Sequence, residues 1–279
     1  MRKIEVATLI TKIEEMCIDA NYHVDQTLLK TLKKTKELET SELGSNILQQ
    51  IIKNDEIASQ NAVPMCQDTG IVVVFVEVGT EVQLIGNLEE AIHEGIRRGY
   101  TKGYLRKSVV EHPLNRVNTK DNTPAVIHYK LVPGNQIKLT IAPKGAGSEN
   151  TSAVRMLKPS DGYDGVKKMV IDTILNAGGN PCPPIIVGVG IGGNFEKCAL
   201  LSKEALMRPL DDMANDEIAA KLERELLQEI NELNIGPMGF GGITTALAVK
   251  VNTYPCHIAS LPVAVNIQCH ASRHLSQTF

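Results

Sequence analysis

Pro184-Ile185-Ile186-Val187-Gly188-Val189-Gly190-Ile191-Gly192-Gly193 separates two architectures for this chain. An apolar, strand-like run followed by G-x-G-x-x-G and then a helix is the context that a dinucleotide-binding turn requires. A Rossmann unit also needs a second parallel strand soon afterwards, ending in an acidic residue that holds the ribose. Here Arg208-Pro209-Leu210-Asp211-Asp212 leads instead into another long polar helix. Nucleotide binding is therefore disfavoured. The glycines read as positions where backbone approaches a cluster or an anionic substrate closely, with the N–H groups of the following helix free to donate.

Outward from that segment, helical periodicity runs through the first sixty residues. Ile4, Leu9, Ile10, Ile13 and Cys17 share a face, a second helix covers Asp25 to Glu37, and Thr40-Ser41-Glu42-Leu43 caps a third. Ile71 to Val78 is a β-branched run that reads as a buried strand, followed by a helix over Leu88 to Gly99. Ala125 to Val132 and Gln136 to Ile141, joined by Pro133-Gly134-Asn135, predict a hairpin. Helices follow over Asp161 to Ala177, Asn194 to Met207 and Asp212 to Leu233, with late strands at Ala246 to Val251 and Pro262 to Ile267. No linker, repeat or low-complexity tract divides the chain, and the elements do not alternate regularly as βαβ. The expectation is α+β: one helix-rich domain over residues 1–279 with a small, mainly antiparallel sheet.

At 279 residues, with 43% apolar and 22% charged side chains, the composition is that of an ordinary globular protein with a sizeable core. The net charge of −3 and the absence of long Lys/Arg runs argue against nucleic acid as a partner. No apolar segment approaches the roughly 20 residues of a membrane span, and Glu5 and Thr8 fall where a signal peptide needs its apolar stretch. A cytoplasmic location with reduced thiols is expected.

Cys66 sits in Pro64-Met65-Cys66-Gln67-Asp68-Thr69-Gly70, Cys198 lies five residues after the glycine run, and Cys269 lies in Asn266-Ile267-Gln268-Cys269-His270. Glycine, proline, aspartate or histidine surrounds each of them, whereas Cys17 lies on an apolar helical face and Cys182 and Cys256 suit small buried positions. Structural zinc prefers paired C-x2-C spacings, which are absent. A nucleophilic cysteine working with His257 leaves the other two loops unexplained. A three-thiolate metal site of iron–sulfur type ranks ahead of each rival, which stay open on residue chemistry alone. Two further loops, Lys144-Gly145-Ala146-Gly147-Ser148-Glu149-Asn150 and Gly236-Pro237-Met238-Gly239-Phe240-Gly241-Gly242, are flexible enough to present amide donors to a carboxylate, although the first also reads as a capped tight turn.

Taken together, the Cys66 motif, the Lys144–Asn150 loop, Gly190-Ile191-Gly192-Gly193 with Cys198, and the Cys269 motif resemble the class I fumarase family, which also contains tartrate dehydratase. The likeness runs from about Ser45 to His274 and follows the family's order. It is closest to the α subunit of the two-chain enzymes, which implies a separate β subunit. The resemblance further implies an oxygen-sensitive [4Fe-4S] cluster held by Cys66, Cys198 and Cys269 with one iron open, acting on a small dicarboxylate.

By the same resemblance, Gln67, Asp68, Arg106 and Gly147 match substrate contacts, and Asp68 and His257 match catalytic positions. In related enzymes the equivalent arginine comes from a neighbouring protomer, so homodimerisation of α or αβ units is implied. On spacing alone, Arg106 is an exposed loop arginine and His257 a satisfied structural histidine. One departure is Gly145-Ala146-Gly147, where the single-chain members usually have three consecutive glycines. The functions implied are fumarate hydration, L-tartrate dehydration, or a non-catalytic iron–sulfur assembly or sensor role.

Overall fold

The computed structural model describes residues 1–279. In chain order the elements are β1 (Arg2–Glu5), α1 (Leu9–Tyr22), α2 (Gln26–Leu38), α3 (Glu42–Asn61), β2 (Ile71–Gly79), β3 (Val82–Ile85), α4 (Leu88–Lys102), β4 (Val126–Val132) and β5 (Ile137–Lys144). They continue as α5 (Ala146–Glu149), β6 (Ala153–Leu157), α6 (Gly162–Ala177), β7 (Ile185–Gly192), α7 (Phe195–Ala205), α8 (Glu217–Glu232), β8 (Ala246–Tyr254), β9 (Leu261–Gln268) and β10 (Leu275–Thr278). The architecture is α+β, and the chain forms two compact units. Unit 1 comprises Met1–Val24, Asn54–Ala146 and Arg273–Phe279, and unit 2 comprises Asp25–Lys53 and Gly147–Ser272.

In unit 1 a four-stranded sheet of order β10-β5-β2-β4 is covered by α1 and α4. Val72, Val74 and Val76 of β2 and Ile137, Leu139 and Ile141 of β5 alternate into one core with Ile13, Met16, Ile92 and Ile96. Gly95 and Gly99 let the two helices touch, since a Cβ at either would press on Ile13 or Cys17. The expected hairpin between residues 125 and 141 does not form. β2 lies between its two arms, parallel to β4 and antiparallel to β5. The Pro133–Gln136 connection crosses the end of β2, where Gly79 N–H donates to Gln136 O and Thr80 N–H to Val132 O. β2 is almost wholly apolar and gains from burial on both sides, whereas β4 carries exposed Tyr129 and Leu131 and suits an edge.

Unit 2 repeats this order as β6-β9-β7-β8, with β7 parallel to β8 and antiparallel to β9. The sheets are therefore mixed, and more extensive than the small sheet expected. Val187 and Val189 face α6 and α8 across a core with Val170, Leu226 and Val265. The alternate positions, Gly188 and Gly190, meet α7 directly, because a Cβ at either would collide with the main-chain oxygen of Ser202 or Cys198. The glycine run is thus the second half of a strand pressed against a helix, not a phosphate-binding turn.

Candidate active site

In unit 1 the Cys66 loop joins α3 to β2. Its entry is fixed by Met65 N–H donating to Asn21 O at 3.0 Å and by the Asn54 side chain donating to Met65 O at 2.9 Å. Cys66 is half-buried, with its thiol 3.5 Å from Gln67 Oε1, and Gln67 is exposed. The Asp68 carboxylate accepts from Gly70 N–H at 3.0 Å and from Ala146 N–H at 2.8 Å. One amide donor expected of the glycine loop, Ala146 N–H, thus serves a carboxylate of the chain itself. Gly70, at φ +75°, lies against the Lys144 backbone so closely that no side chain fits there.

The same loop carries Arg106 with it. Thr69 Oγ1 donates to Arg106 O at 2.9 Å, and Tyr100, fully buried, donates its hydroxyl to Thr69 O at 2.6 Å. Asn122 bridges the two segments, donating to Gly70 O at 3.1 Å and accepting from Ser108 N–H at 2.7 Å. The Arg106 guanidinium is exposed and forms no ion pair; its nearest partner is Ser108 Oγ at 3.4 Å. A carboxylate ligand can therefore reach its donor fork.

In unit 2, Cys198 lies in the first turn of α7, whose cap is Asn194 accepting from Lys197 N–H at 3.1 Å. The thiol is fully buried and donates to Phe195 O at 3.3 Å. Burial pushes its pKa up, and the backbone N–H groups of Ala199 and Cys198 pull partly against that. Cys269 follows β9 and is half-buried.

The segment leading to Cys269 is tied to the other two motifs of this unit. The Asn266 side chain donates to Glu149 Oε2 and to Ser152 Oγ, each at 3.0 Å, and Lys203 Nζ of α7 binds Glu149 at 2.6 Å. The glycine-loop motif, the helix of Cys198 and the strand of Cys269 thus share one polar network. Its members Lys203, Ser152 and Asn266 were not singled out from sequence, although Glu149 and Asn266 stand inside the quoted motifs. Gly147 is exposed, and a Cβ built there would meet only Asn180 O, at 3.5 Å. His257 is exposed on the β8–β9 connection, where Nδ1 accepts from Ala259 N–H at 3.1 Å. In the neutral ring this leaves the proton on Nε2.

Cys66, Gln67, Asp68 and Arg106 therefore belong to unit 1, while Gly147, Cys198, His257 and Cys269 belong to unit 2. Within neither unit do three or more His, Cys, Asp or Glu side chains form a metal-ligand group. All six cysteines are free thiols. As a donor set, three unbridged thiols fit an iron–sulfur cluster better than a hard cation. No helix is long and apolar enough to cross a membrane.

Comparison with known proteins converges on one group. Residues 10–278 match the fumarate hydratase (Fumerase) family. A protein of Methanocaldococcus jannaschii, provisionally named L(+)-tartrate dehydratase subunit alpha, is 43% identical over 268 residues, which is 94% of each chain. The L(+)-tartrate dehydratase subunit alpha of Escherichia coli K12 is 34% identical over 246 residues, covering 87% of this chain and 81% of that one, and its Shigella sonnei counterpart matches equally. With its length matched almost completely and the motif segments joined in the two networks described, this chain belongs to the fumarate hydratase family of hydro-lyases.

Proposed function

We propose that this chain is the α subunit of a cytoplasmic, two-chain hydro-lyase that reversibly hydrates fumarate to malate together with a separate β subunit. Residues 1–279 form its α-subunit domain, and α or αβ units pair as dimers. The observation that carries this reading is the joining of Cys66-Gln67-Asp68 to Arg106 through Thr69 and Asn122, which sets a thiol, a carboxylate and an unpaired guanidinium on adjoining segments of one unit.

Cys66, Cys198 and Cys269 would hold a [4Fe-4S] cluster with one iron open. When bound, that iron supplies a Lewis acid for the carboxylate and hydroxyl oxygens of the substrate. The chain's own residues do the rest. Arg106 takes one carboxylate in its planar fork, and the exposed Gln67 amide and the Gly147 N–H add neutral donors. Asp68, with both oxygens already accepting backbone N–H groups, has a fixed orientation from which to exchange a proton with the carbon beside the carboxylate. His257, protonated on Nε2, polarises the substrate or shuttles a proton.

A second reading, dehydration of L-tartrate to oxaloacetate, is favoured by the names of the relatives and uses the same residues. The deciding experiment co-expresses the chain with its β partner without oxygen, reconstitutes iron and sulfide, and follows malate from fumarate and oxaloacetate from tartrate. Malate selects the first reading, and oxaloacetate alone selects the second. Neither product from an enzyme with an intact cluster would overturn both and leave a non-catalytic iron–sulfur sensor or assembly role.

A further inference from the structure

Arg273 lies four residues after Cys269 and is 3% exposed, an uncommon setting for a permanently charged side chain. Its Nη1 donates to the main-chain oxygen of Asp68 at 2.5 Å and to Asn21 Oδ1 at 3.3 Å, and its Nε has no hydrogen-bond partner. Asn21 is itself fully buried; its main-chain oxygen accepts from Met65 N–H at 3.0 Å and its Nδ2 donates to Cys17 O at 2.9 Å. Met65 and Asp68, which flank Cys66 and Gln67, are therefore gripped from beneath by one asparagine–arginine pair. Gly145 completes the arrangement, since a Cβ built there would stand 3.2 Å from both Arg273 Nη2 and Asp68 Oδ2.

Burying a guanidinium is unfavourable unless charge or strong acceptors compensate its lost hydration. Its two direct acceptors here are neutral, and the Asp68 carboxylate borders the same glycine. We propose that Arg273 is a positioning residue that fixes the Met65–Asp68 segment and holds the Asp68 carboxylate in place for its exchange with substrate. The proposal rests on the hydro-lyase reading above. The two acceptors, Asp68 O and Asn21 Oδ1, lie on different segments and are both met by Nη1, which the rigid guanidinium plane holds in place; a lysine carries its ammonium on a flexible stem and fixes it less well. Misplacement of a catalytic group by about 1 Å costs on the order of 100-fold in rate.

The test uses the reconstituted αβ enzyme with Arg273→Gln and Arg273→Lys. For Arg273→Gln the expected result is a fall in kcat of about 100-fold with KM nearly unchanged and visible absorption and iron content retained. Arg273→Lys should recover about a tenth of the wild-type kcat, because it restores the charge without the rigid plane. In the cluster-free chain, both variants should speed amide hydrogen exchange across Met65–Gly70. Wild-type kcat in Arg273→Gln, a loss confined to KM, or unchanged exchange overturns the proposal. Equal loss in Gln and Lys variants, matched by an equal drop in Tm, makes the residue structural only and also overturns it.

Should Arg273→Gln fail to fold, Asn21→Ala removes one anchor and leaves the charge, and wild-type kcat and exchange there overturn the proposal equally. An enzyme that converts neither fumarate nor tartrate removes the hydro-lyase reading and the catalytic half of this proposal, while the exchange rates still decide the clamp.

Discussion

Cys17 and Cys198 are both fully buried, yet their surroundings assign them different work. Cys17 is wedged between α1 and α4 against Gly99, and burial, with Glu14 nearby, pushes its thiol far above the ordinary range. Cys198 is also raised by burial, but helix N–H groups partly offset that, and a metal can replace its proton. Replacement of Cys66, Cys198 or Cys269 by serine should each abolish the broad visible absorption and the bound iron of the reconstituted chain, whereas Cys17→Ser should keep both. Retained absorption in any of the first three removes that residue from the ligand set. Asp55 offers a separate test of burial. It is 1% exposed, its Oδ2 has no partner, and burial raises its pKa to about 6. Because the folded value lies above the unfolded one, this group's contribution to stability is full below about pH 4 and is lost as pH rises through about 6. Asp55→Asn should therefore stabilise the fold at pH 7.5 by about 3 kcal/mol and hardly at all at pH 4. Urea unfolding at the two pH values checks it, and an equal gain at both would show that burial of charge is not the cause.

At the scale of the elements, periodicity exposed the long helices and the apolar strands, because those segments bury a regular stripe. It missed β1, β3, β6 and β10, which are short; β3 is mostly half-buried, β1 and β6 are largely exposed, and all four residues of β10 are exposed. Pairing was less readable than existence. Nothing local in Pro133-Gly134-Asn135 records that β2, some fifty residues earlier, separates the strands on either side. The glycine run shows the same limit. Its spacing of two is a strand signature, but whether the bare face meets a helix or a ligand is a tertiary fact. That fact predicts the behaviour of Gly190→Ala. The new methyl would strike the main-chain oxygen of Cys198, so α7 must shift away from β7. Overpacking of this kind costs about 1–3 kcal/mol, and the shift falls on the turn that carries the proposed ligand. The expected outcome is a chain that still folds, by far-ultraviolet circular dichroism, but binds less iron per molecule than Ala199→Gly of the same helix. Undiminished iron would mean that the α7–β7 packing does not position Cys198.

For the whole molecule, the two units share one sheet order: in each, two consecutive strands flank an earlier strand, parallel to the first and antiparallel to the second. The candidate residues were readable as motifs because chemistry confines them to short stretches of sequence. The supports under them were not, since Arg273 with Asn21, and Lys203 with Glu149 and Asn266, join segments remote in sequence. The proposed two-chain arrangement leads to the last prediction. Fumarate carries two carboxylates, yet among Gln67, Asp68, Arg106 and Gly147 only Arg106 is positive. A charge-assisted hydrogen bond contributes about 1.5–3 kcal/mol, so a dicarboxylate lacking its second cationic partner should bind roughly 10- to 100-fold more weakly. The two-chain proposal places that second partner on the β subunit. The isolated chain, reconstituted without oxygen, should show cluster absorption but turn over fumarate and tartrate at under about 1% of the αβ rate, with added β subunit restoring it. Restoration should saturate at equimolar β. Full turnover by the isolated chain would instead place both carboxylate contacts on this chain, and the search for the second would move to its own exposed lysines and arginines.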